Sequence, residues 1–528
     1  MSAPSTLSPG QVLPLVQRID RAPDPAAVLK DVAAGRGILL ESADDSRGSG
    51  GTSLVVTRAA LVLECRGDEV ALDALTPNGE AALAALAGPL GGRFRLVERS
   101  AARARYALPA DARPLYTDRE RLAGRTTALD ALRILATAFV PVATPIASPV
   151  FAAGLFAYDL IDRFEELPLG SPAAVDVPDL VFWLPEHYVR IDHARGTATA
   201  VALVFGAEPR HYHDGARALD ALAATCRSCA PAVPTAAPAG LAVTVDTSDE
   251  AYAQVVTRLQ GHIVRGDVFQ IVPSRTFRAP CADPFAAYLR LRRANPSPYL
   301  FYLAHRDWTL FGASPETCLK VAGTPRRVTI RPIAGTRPRG RDAAGDVDPD
   351  LDARYEADLR LSAKELAEHV MLVDLARNDV ARVSRPGTRR VDQLMSVERY
   401  SRVMHLVSTV SGELAPELDA LHAYAASMNM GTLVGAPKLR AAQLLREHEP
   451  DRRGAYGGAV GYVAGDGGLD TCIVIRAALV AGGVARVRAG AGVVADSDPA
   501  AEADETFRKA SAVLEAIAGR AWTGYRTP

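Results

Sequence analysis

The strongest constraint on the fold is segment 364–379, where two glutamates stand at helical spacing beside a periodic apolar pattern. Glu365 and Glu368 are three residues apart, which places both carboxylates on one side of a helix, one turn apart. The residues that recur at the spacing of one buried helix face are Leu366, Val370, Val373 and Ala376. The segment therefore predicts a helix with an apolar stripe and a pair of oxygen ligands.

A second acidic pair, Glu502 and Glu505, repeats this spacing in segment 501–506. Asp498 and Pro499 precede it and are typical of a helix N-cap and first helical position. Two helices that each offer two hard oxygen ligands suit one Mg²⁺ ion, which usually keeps some water and takes part of its shell from a bound anion. The alternative is two solvated acidic helix faces, which either segment alone favours because surface glutamate pairs are common.

Composition restricts the class of protein. The chain has 528 residues, of which 48% are hydrophobic and 23% charged, as is ordinary for a soluble globular protein with room for two domains. Its net charge of -1 argues against a nucleic-acid or anionic-membrane partner held by bulk electrostatics. Six scattered cysteines favour a reducing compartment, so we expect a cytoplasmic protein. Cys226 and Cys229 form a CxxC pair that is either fortuitous or a metal or redox site.

A Pro- and Ala-rich stretch without charge, 229–238, marks a domain boundary. We predict an N-terminal domain at 1–228, a linker at 229–245 and a second domain at 246–520. The uncharged segment 134–158 is not predicted to cross a membrane, because three prolines interrupt it and each costs about 3 kcal/mol inside a helix. It is better explained as a helix end, a turn and a buried strand over 151–158.

Several shorter motifs of the second half leave two interpretations open. Gln270 is the single polar residue of a predicted apolar strand, 268–272, and is either an outward-facing strand residue or functional. His405 lies in a strand-like run and is either a hydrogen-bonded core histidine or a functional group. Gly457–Gly458 and Gly490–Gly492 are glycine clusters at predicted strand ends, where bare N–H groups can approach a carboxylate.

Taken together, these segments resemble the chorismate-utilising enzymes, and within them the large subunits of anthranilate synthases. The resemblance spans nearly the whole second half and two stretches of the first half. The matching segments are 39–42, 154–160, 268–275, 332–340, 365–379, 428–432, 454–458 and 489–504. It implies an α/β sandwich of two packed, mainly antiparallel sheets with helices outside, in which the N-terminal part packs against the chorismate-binding part.

The resemblance also implies the binding residues. Those expected to hold chorismate are Gly335, Thr336, Thr432, Tyr456, Arg476, Gly490, Ala491 and Gly492. Arg476 would clamp a carboxylate through two hydrogen bonds. Glu368 and Glu505 would be direct Mg²⁺ ligands, with Glu365 and Glu502 in support or bound through water. The ion would act as template and Lewis acid for the ring carboxylate of chorismate.

The implied reaction joins chorismate and ammonia to give anthranilate and pyruvate, the first committed step of tryptophan biosynthesis. The family analogy assigns protonation of the departing hydroxyl to Glu316, and proton handling or substrate orientation to His405. Gln270 stands where water-adding relatives carry a lysine base, and Ala334 where the para-aminobenzoate branch typically carries a lysine nucleophile. Both identities point to direct addition of ammonia.

The resemblance extends to regulation and partners. Residues that match the family's tryptophan feedback pocket are Glu41, Ser42, Pro298, Tyr299 and Leu300. Loop 47–52 aligns less well and lacks a lysine found in close relatives. No cysteine stands in the setting that a glutaminase needs, so we predict a separate glutamine amidotransferase subunit, in a heterotetramer of two large and two small subunits. The alternatives are an aminodeoxychorismate synthase component I and a non-catalytic tryptophan-binding relative.

Overall fold

The computed structural model describes residues 7–42, 51–109, 125–168, 170–236, 242–342, 345–400 and 403–521. The strands in these ranges are β1 Gln11–Ile19, β2 Ile38–Glu41, β3 Thr52–Arg66, β4 Glu69–Ala74, β5 Arg95–Arg99, β6 Arg103–Ala107, β7 Val140–Pro141, β8 Phe151–Phe156, β9 Leu180–Asp192, β10 Thr197–Val204, β11 Thr244–Val245, β12 Gln270–Ile271, β13 Ser274–Pro280, β14 Tyr299–Ala304, β15 Thr309–Ser314, β16 Thr317–Ala322, β17 Arg327–Ile330, β18 Ile333–Pro338, β19 Arg390–Arg399, β20 Val403–Glu413, β21 Gly435–Ala436, β22 Ala459–Ala464, β23 Leu469–Ile473, β24 Ala477–Ala481 and β25 Val484–Gly490. The helices are α1 Pro25–Ala33, α2 Pro77–Gly91, α3 Ala128–Thr137, α4 Pro209–Ser228, α5 Asp249–Val264, α6 Pro284–Ala294, α7 Pro349–Leu361, α8 Ala363–Val383, α9 Ala420–Ser427, α10 Gly431–Val434, α11 Lys438–His448 and α12 Pro499–Ala518, with a 3₁₀ helix at Tyr158–Arg163.

Antiparallel pairing dominates the sheet. Among the described strands, all but β12 and β21 belong to one continuous hydrogen-bonded network, and β12 and β21 pair only with each other. The sole parallel ladder within these ranges is the short one between β1 and β7. The predicted mixed fold, with mainly antiparallel strands and covering helices, is therefore confirmed.

Alternation along the strands places the sheet between two hydrophobic cores. In β14, Leu300 and Tyr302 point into one cluster, whereas Phe301 and Leu303 point into the other. This is the consequence of the two-residue period of a strand, which sends successive side chains to opposite faces. Helices α1, α4, α6 and α12 pack on the first cluster, and helices α2, α3, α8 and α9 pack on the second.

Strands from both halves of the sequence pair with each other. Glu41 of β2 lies opposite Leu300 of β14, and Phe156 of β8 lies opposite Ala459 of β22. Residues 229–236 form neither helix nor strand, whereas β11 at the end of the predicted linker pairs with β13. The division into two domains stays a prediction about the sequence, because the sheet itself runs through both parts.

Local expectations differ from the structure in a few places. Val370 does not belong to the buried stripe of α8, since 52% of it is exposed. The buried face of α8 contains His369 in place of Val370. His369 is fully buried and continues the row of buried residues Leu372, Val373, Ala376 and Val380. The strand predicted at 268–272 shortens to Gln270–Ile271. None of the described helices combines the length and hydrophobicity that crossing a bilayer requires.

Candidate active site

The two acidic pairs lie in the N-terminal parts of helices α8 and α12. The Ser362 side chain caps α8 by accepting from the Glu365 N–H at 3.4 Å, and Asp498 caps α12 by accepting from the Ala501 N–H at 2.8 Å. Glu365 and Glu502 fall in the first turns of these helices. Negative side chains are stabilised there by the exposed N–H groups and the helix dipole. The local sequence thus makes both helix starts suitable places for carboxylates.

The structure brings the carboxylates of the two helices close enough to influence each other. Burial raises the pKa of Glu368, and the carboxylates of Glu365 and Glu505 raise it further. Burial likewise raises the pKa of Glu502, again reinforced by Glu505. All four predicted ligands therefore face one region of concentrated negative charge. In the described part of the chain, no three or more histidine, cysteine, aspartate or glutamate side chains are grouped so that they could hold a metal ion as they stand.

Neighbouring cations balance part of this charge. Lys509 Nζ lies 2.6 Å from Glu505 Oε1 and 3.0 Å from the Gly490 carbonyl oxygen. Burial tends to raise the pKa of Glu505, but Lys509 and the more distant arginines outweigh it and lower the pKa below its ordinary value. Arg337, in β18, donates to Oε1 of Glu365, in α8, at 3.0 Å. Two of the four carboxylates, Glu505 and Glu365, are thus each in contact with a cationic side chain.

Gln270 contacts the acidic cluster directly. Its Nε2 donates to Glu368 Oε1 at 3.2 Å, while its buried Oε1 has no hydrogen-bond partner among the described residues. Its position is fixed by the pairing of Gln270 with Ala436 between β12 and β21. A Cβ atom at Gly492 would lie 2.6 Å from Gln270 Nε2, so only glycine leaves room for the amide. Gln270 is therefore buried against the acidic cluster rather than facing outward from its strand.

Glu316 lies buried in the connection between β15 and β16. Burial raises its pKa to about 8, although Thr432, Arg476 and Lys509 each act in the opposite direction. Glu316 Oε1 lacks a hydrogen-bond partner among the described residues. The carboxyl group therefore carries its proton at neutral pH, and it can donate that proton to a bound molecule.

Arg476 follows β23 in a left-handed backbone conformation, with φ of 50°. Its guanidinium forms no hydrogen bond or ion pair with any described residue. Burial lowers the pKa of Arg476, and this is opposed by Tyr456, Glu505 and Glu316, which lie near it. A desolvated guanidinium without a partner is a strong binding group for a carboxylate, because it offers two parallel donors.

His405 faces the loop at Gly335 from the neighbouring strand. Its Nδ1 lies 2.9 Å from Thr336 Oγ1 and 3.4 Å from the Gly335 carbonyl oxygen. Burial lowers the pKa of His405 to about 4, and Arg476 adds to this, so the imidazole is neutral at pH 7. Gly335 has φ of 71°, and a Cβ atom there would lie 3.1 Å from Glu365 Oε2. This glycine lets the histidine strand and the acidic helix approach each other.

Tyr456 and the segment Gly490–Gly492 form the opposite wall. A Cβ atom at Gly490 would lie 2.6 Å from the Pro273 carbonyl oxygen and 3.0 Å from the Tyr456 hydroxyl. Ala491 donates its N–H to the same carbonyl at 3.2 Å. The predicted catalytic, substrate-binding and metal residues are thus linked by contacts and charges in one region.

The sequence did not reveal Lys509, which acts on Glu316, Glu368, Glu502 and Glu505 in this site. The available signal was its spacing of four residues from Glu505, which places both side chains on one helix face. Its hydrogen bond to the Gly490 carbonyl oxygen could not be identified from spacing alone.

The five residues predicted to bind tryptophan line a cavity of about 520 Å³. Glu41 accepts hydrogen bonds from Tyr288 and, at 3.0 Å, from Arg292 Nε. Burial raises the pKa of Glu41, although Arg292 and Tyr288 oppose the rise. Tyr299 donates to Asp470 Oδ1 at 2.9 Å. Residues 43–50, which include most of loop 47–52, lie outside the described residues.

Comparison with known proteins agrees with these features. A family profile described as chorismate binding enzyme matches residues 94–515. Anthranilate synthase component 1 of Vibrio cholerae is 47% identical over 498 residues, covering 94% of each chain. The Escherichia coli protein of the same name is 48% identical over 481 residues, covering 91% of this chain and 92% of its own.

Two solved structures are similar in fold. Anthranilate synthase component I from Streptococcus pneumoniae superimposes with a TM-score of 0.68 at 28% identity, over 88% of this chain and 92% of that one. The menaquinone-specific isochorismate synthase from Escherichia coli gives a TM-score of 0.63 at 19% identity, over 98% and 96% of the two chains. The second likeness concerns the fold alone.

Proposed function

This chain belongs to the family of chorismate-binding enzymes, and from that membership we propose that it is the synthase component of an anthranilate synthase. In this reaction chorismate and ammonia give anthranilate, pyruvate and water. The proposal is supported by the curated relatives of that name, which match this chain over nearly its full length and theirs.

The observation that carries the proposal is the presence, in one site, of a protonated Glu316 and of an Arg476 guanidinium without a hydrogen-bond partner among the described residues. Chorismate bears carboxylates and a ring hydroxyl that must leave. Arg476 supplies two donors for a carboxylate, and Glu316, with a pKa of about 8, supplies the proton that converts the departing hydroxyl to water. The two groups influence each other's charge, so one substrate can reach both.

Gln270 and Ala334 favour ammonia as the nucleophile. The unpartnered Oε1 of Gln270 can accept a hydrogen bond from an ammonia N–H, but an amide cannot remove a proton from water. Ammonia needs no such base, because its lone pair is already free. Ala334 is buried and offers no nucleophile that could attack the ring instead.

His405 is suited to the second half of the reaction. After nitrogen has added, the ring carbon that carries it must lose its hydrogen as a proton, and the bond between the adjacent ring carbon and the enolpyruvyl oxygen must break. The ring then becomes aromatic, and the released enolpyruvate takes up a proton to give pyruvate. The neutral His405 can accept the ring proton at Nε2, since its Nδ1 lies against Thr336.

The donor chemistry of the acidic cluster fits Mg²⁺. Glu368 and Glu505 would hold the ion, with Glu365 and Glu502 in support, and the mutual repulsion that raises the pKa of Glu368 is the kind that a divalent cation relieves. When bound, Mg²⁺ would polarise the ring carboxylate of chorismate and neutralise its charge. Gln270 holds Glu368 in place from the side, through its Nε2.

We further propose that the 520 Å³ cavity binds tryptophan as a feedback inhibitor and that a separate glutamine amidotransferase subunit supplies ammonia. The first is supported by Glu41, Ser42, Pro298, Tyr299 and Leu300 lining one cavity. The second is supported by the names of the relatives, since a component 1 implies a second component. A stoichiometry of two large and two small subunits stays a prediction.

The test is incubation of the purified chain with chorismate, Mg²⁺ and ammonium, with anthranilate followed by fluorescence and pyruvate by a coupled assay. Equal amounts of anthranilate and pyruvate are expected, and both should form far more slowly with Glu316→Gln. Aminodeoxychorismate without pyruvate would instead assign the sister activity. Tryptophan binding with no product at all would assign a non-catalytic regulatory relative.

A further inference from the structure

One face of helix α8 carries a row of side chains that begins at the acidic cluster and continues to the far end of the helix. The row is formed by side chains at intervals of four, three and four residues, which share one side of a helix, namely Glu368, Leu372, Leu375 and Asp379. At the first of these positions, Glu368 accepts a hydrogen bond from Gln270. Asp379 lies on the same face about 16 Å away, at 1.5 Å per residue. Contacts at both ends of the row are therefore made by a single helix.

Segment 427–438, which leads from the last residue of α9 to the first residue of α11, lies against this row. It contains the short helix α10 and, within that helix, Thr432. A Cβ atom at Gly431 would lie 2.6 Å from Leu375 Cδ1, so the start of α10 approaches α8 closely. The way in which this segment is held on α8 therefore determines where Thr432 lies.

Lys438 holds both ends of this segment on Asp379. Its Nζ donates to Asp379 Oδ2 at 2.6 Å and to the Ser427 carbonyl oxygen at 2.8 Å. Asp379 is buried, and Lys438 is largely buried. Burial raises the pKa of Asp379, and the charge of Lys438, followed by that of Arg382, opposes the rise. One ammonium group thus joins the first and the last residue of the segment to α8.

The ion pair of Lys438 and Asp379 lies beside the strand that follows Glu316. Burial raises the pKa of Cys318, the second residue of β16, to about 12. Glu316, Lys438 and Asp379 each act on this pKa as well, so all three side chains lie near one thiol. The thiol itself is uncharged near neutral pH and therefore adds no charge to this region.

Thr432 links the segment to Glu316. Burial raises the pKa of Glu316, and the Thr432 hydroxyl is the largest of the influences that oppose the rise. The charged groups that act on Glu316 in the same direction are Arg476, which follows β23, and Lys509, which lies on α12. Neither of them belongs to segment 427–438. A displacement of this segment therefore changes the surroundings of Glu316 through Thr432.

We propose that Lys438 and Asp379 are positioning residues for the proton donor, an inference that rests on the proposed function. The pair ties both ends of segment 427–438 to α8 and thereby keeps Thr432 against Glu316. It contacts neither the substrate nor Glu316, and its effect on the reaction passes through the Thr432 hydroxyl.

The experiment removes both charges of the pair while keeping the shapes of the two side chains. Asp379→Asn/Lys438→Met removes one negative and one positive charge, so the net charge of the region is unchanged. Once segment 427–438 is released from α8, Thr432 should withdraw from Glu316. The alkaline fall of kcat/KM in the ammonia-dependent reaction should then move to higher pH by about 0.5–1 unit, the equivalent of one hydrogen bond. Asp379→Asn alone keeps an oxygen acceptor for Lys438 and should leave the alkaline limb in place.

Two further variants isolate the path of the effect. Thr432→Val should move the alkaline limb in the same direction, and its combination with the double variant should add no further shift, because both act through one contact. Asp374→Asn/Arg377→Met removes an ion pair of 2.7 Å on the exposed side of the same helix. It is the matched control and should leave the limb where it is.

The outcomes distinguish this inference from the proposed function. No ammonia-dependent anthranilate formation by the unaltered chain would overturn the proposed function. An unmoved alkaline limb in Asp379→Asn/Lys438→Met, with activity present, would overturn only the positioning role, and so would shifts that add when Thr432→Val is included. Failure of the double variant to fold, judged from its melting curve, would assign the ion pair to the fold alone and overturn the inference.

Discussion

Lys509 Nζ lies 2.6 Å from Glu505 Oε1, one turn earlier on the same helix, and 3.0 Å from the Gly490 carbonyl oxygen. A single side chain therefore ties the acidic helix to the glycine segment that forms the opposite wall of the site. Because Lys509 also lowers the pKa of Glu316 and of Glu368, its charge reaches the proposed proton donor and the proposed metal ligands together.

Replacement of Lys509 should change the pH dependence of the reaction. Lys509→Met removes a positive charge that lowers the pKa of Glu316, so that pKa should rise. Since the protonated acid is the proposed active form, the alkaline fall of kcat/KM should move to higher pH. Lys509→Arg should leave it in place. An alkaline limb that moves to lower pH in Lys509→Met would contradict this account.

Glu316→Gln should lower kcat by about 10²–10⁴-fold, the usual contribution of a general acid, because the amide cannot donate a proton to the hydroxyl. In the unaltered enzyme, activity should fall as pH rises through about 8. Anthranilate formation across pH 6–10 measures both effects. A pH-independent rate in the unaltered enzyme would remove Glu316 from this role.

The same substitution should alter stability in a pH-dependent way. Folding raises the pKa of Glu316 from 4.5 to about 8. Its protonation therefore contributes fully to stability below pH 4.5, and this contribution is lost as pH rises through about 8. Glu316→Gln does not titrate. The melting temperature of the variant relative to the unaltered protein should therefore increase between pH 5 and pH 9. An equal difference in melting temperature at both pH values would show that folding does not shift the pKa of Glu316.

Arg476→Ala should weaken substrate binding without weakening the fold. The guanidinium has no partner among the described residues, so its loss leaves no protein group unpaired, whereas KM for chorismate should rise about 10- to 100-fold. Arg453→Ala is the contrasting variant. Arg453 is buried, with its Nη2 2.6 Å from Glu449, so this change should lower the melting temperature strongly. Equal destabilisation by both variants would make Arg476 structural.

Magnesium should stabilise the protein through Glu368. We expect Mg²⁺ to raise the melting temperature of the unaltered chain and not that of Glu368→Ala, which should also lose Mg²⁺-dependent turnover. Asp504→Ala, an exposed carboxylate on the same helix as Glu505, is the control and should respond like the unaltered chain. A thermal shift with Mg²⁺ that persists in Glu368→Ala would place the ion elsewhere.

Tryptophan inhibition should depend on Ser42. Ser42→Phe fills part of the cavity that Ser42 lines, so inhibition should be relieved with little loss of rate. Ser100→Phe, on an exposed turn, should remain as sensitive as the unaltered chain. Rates measured with and without tryptophan decide the matter, and retained inhibition in Ser42→Phe would exclude the cavity.

The sequence allowed prediction of features that depend on nearby residues. The start of α12 follows from Asp498 and Pro499, and the acidic pair on α8 from a spacing of three residues, because caps and helix faces are local properties. The site residues came from family resemblance, and the structure places them in one region. Lys509 was missed because its importance lies in its electrostatic effect on Glu316 and Glu368, which are far away in the sequence.

Features that arise from tertiary contacts could not be predicted from the pattern. Val370 fits an apolar stripe as well as Leu372 does, and only the packing of α8 against the sheet decides which is exposed. The pairing of β2 with β14 joins residues about 260 positions apart, as the register of Glu41 with Leu300 shows, and no local signal encodes it. The unpaired state of Arg476 is likewise visible only when its surroundings are known.

The ladder between β14 and β15 connects the large cavity with the candidate active site over a short path. Tyr299, which lines the large cavity, lies directly opposite Ser314, and Glu316 follows two residues later. A molecule that displaces Tyr299 must therefore disturb the backbone from which the proposed proton donor extends. If the large cavity binds the inhibitor as proposed, inhibitor and substrate compete through the shape of one hairpin without touching, and each must lower the other's affinity by the same factor.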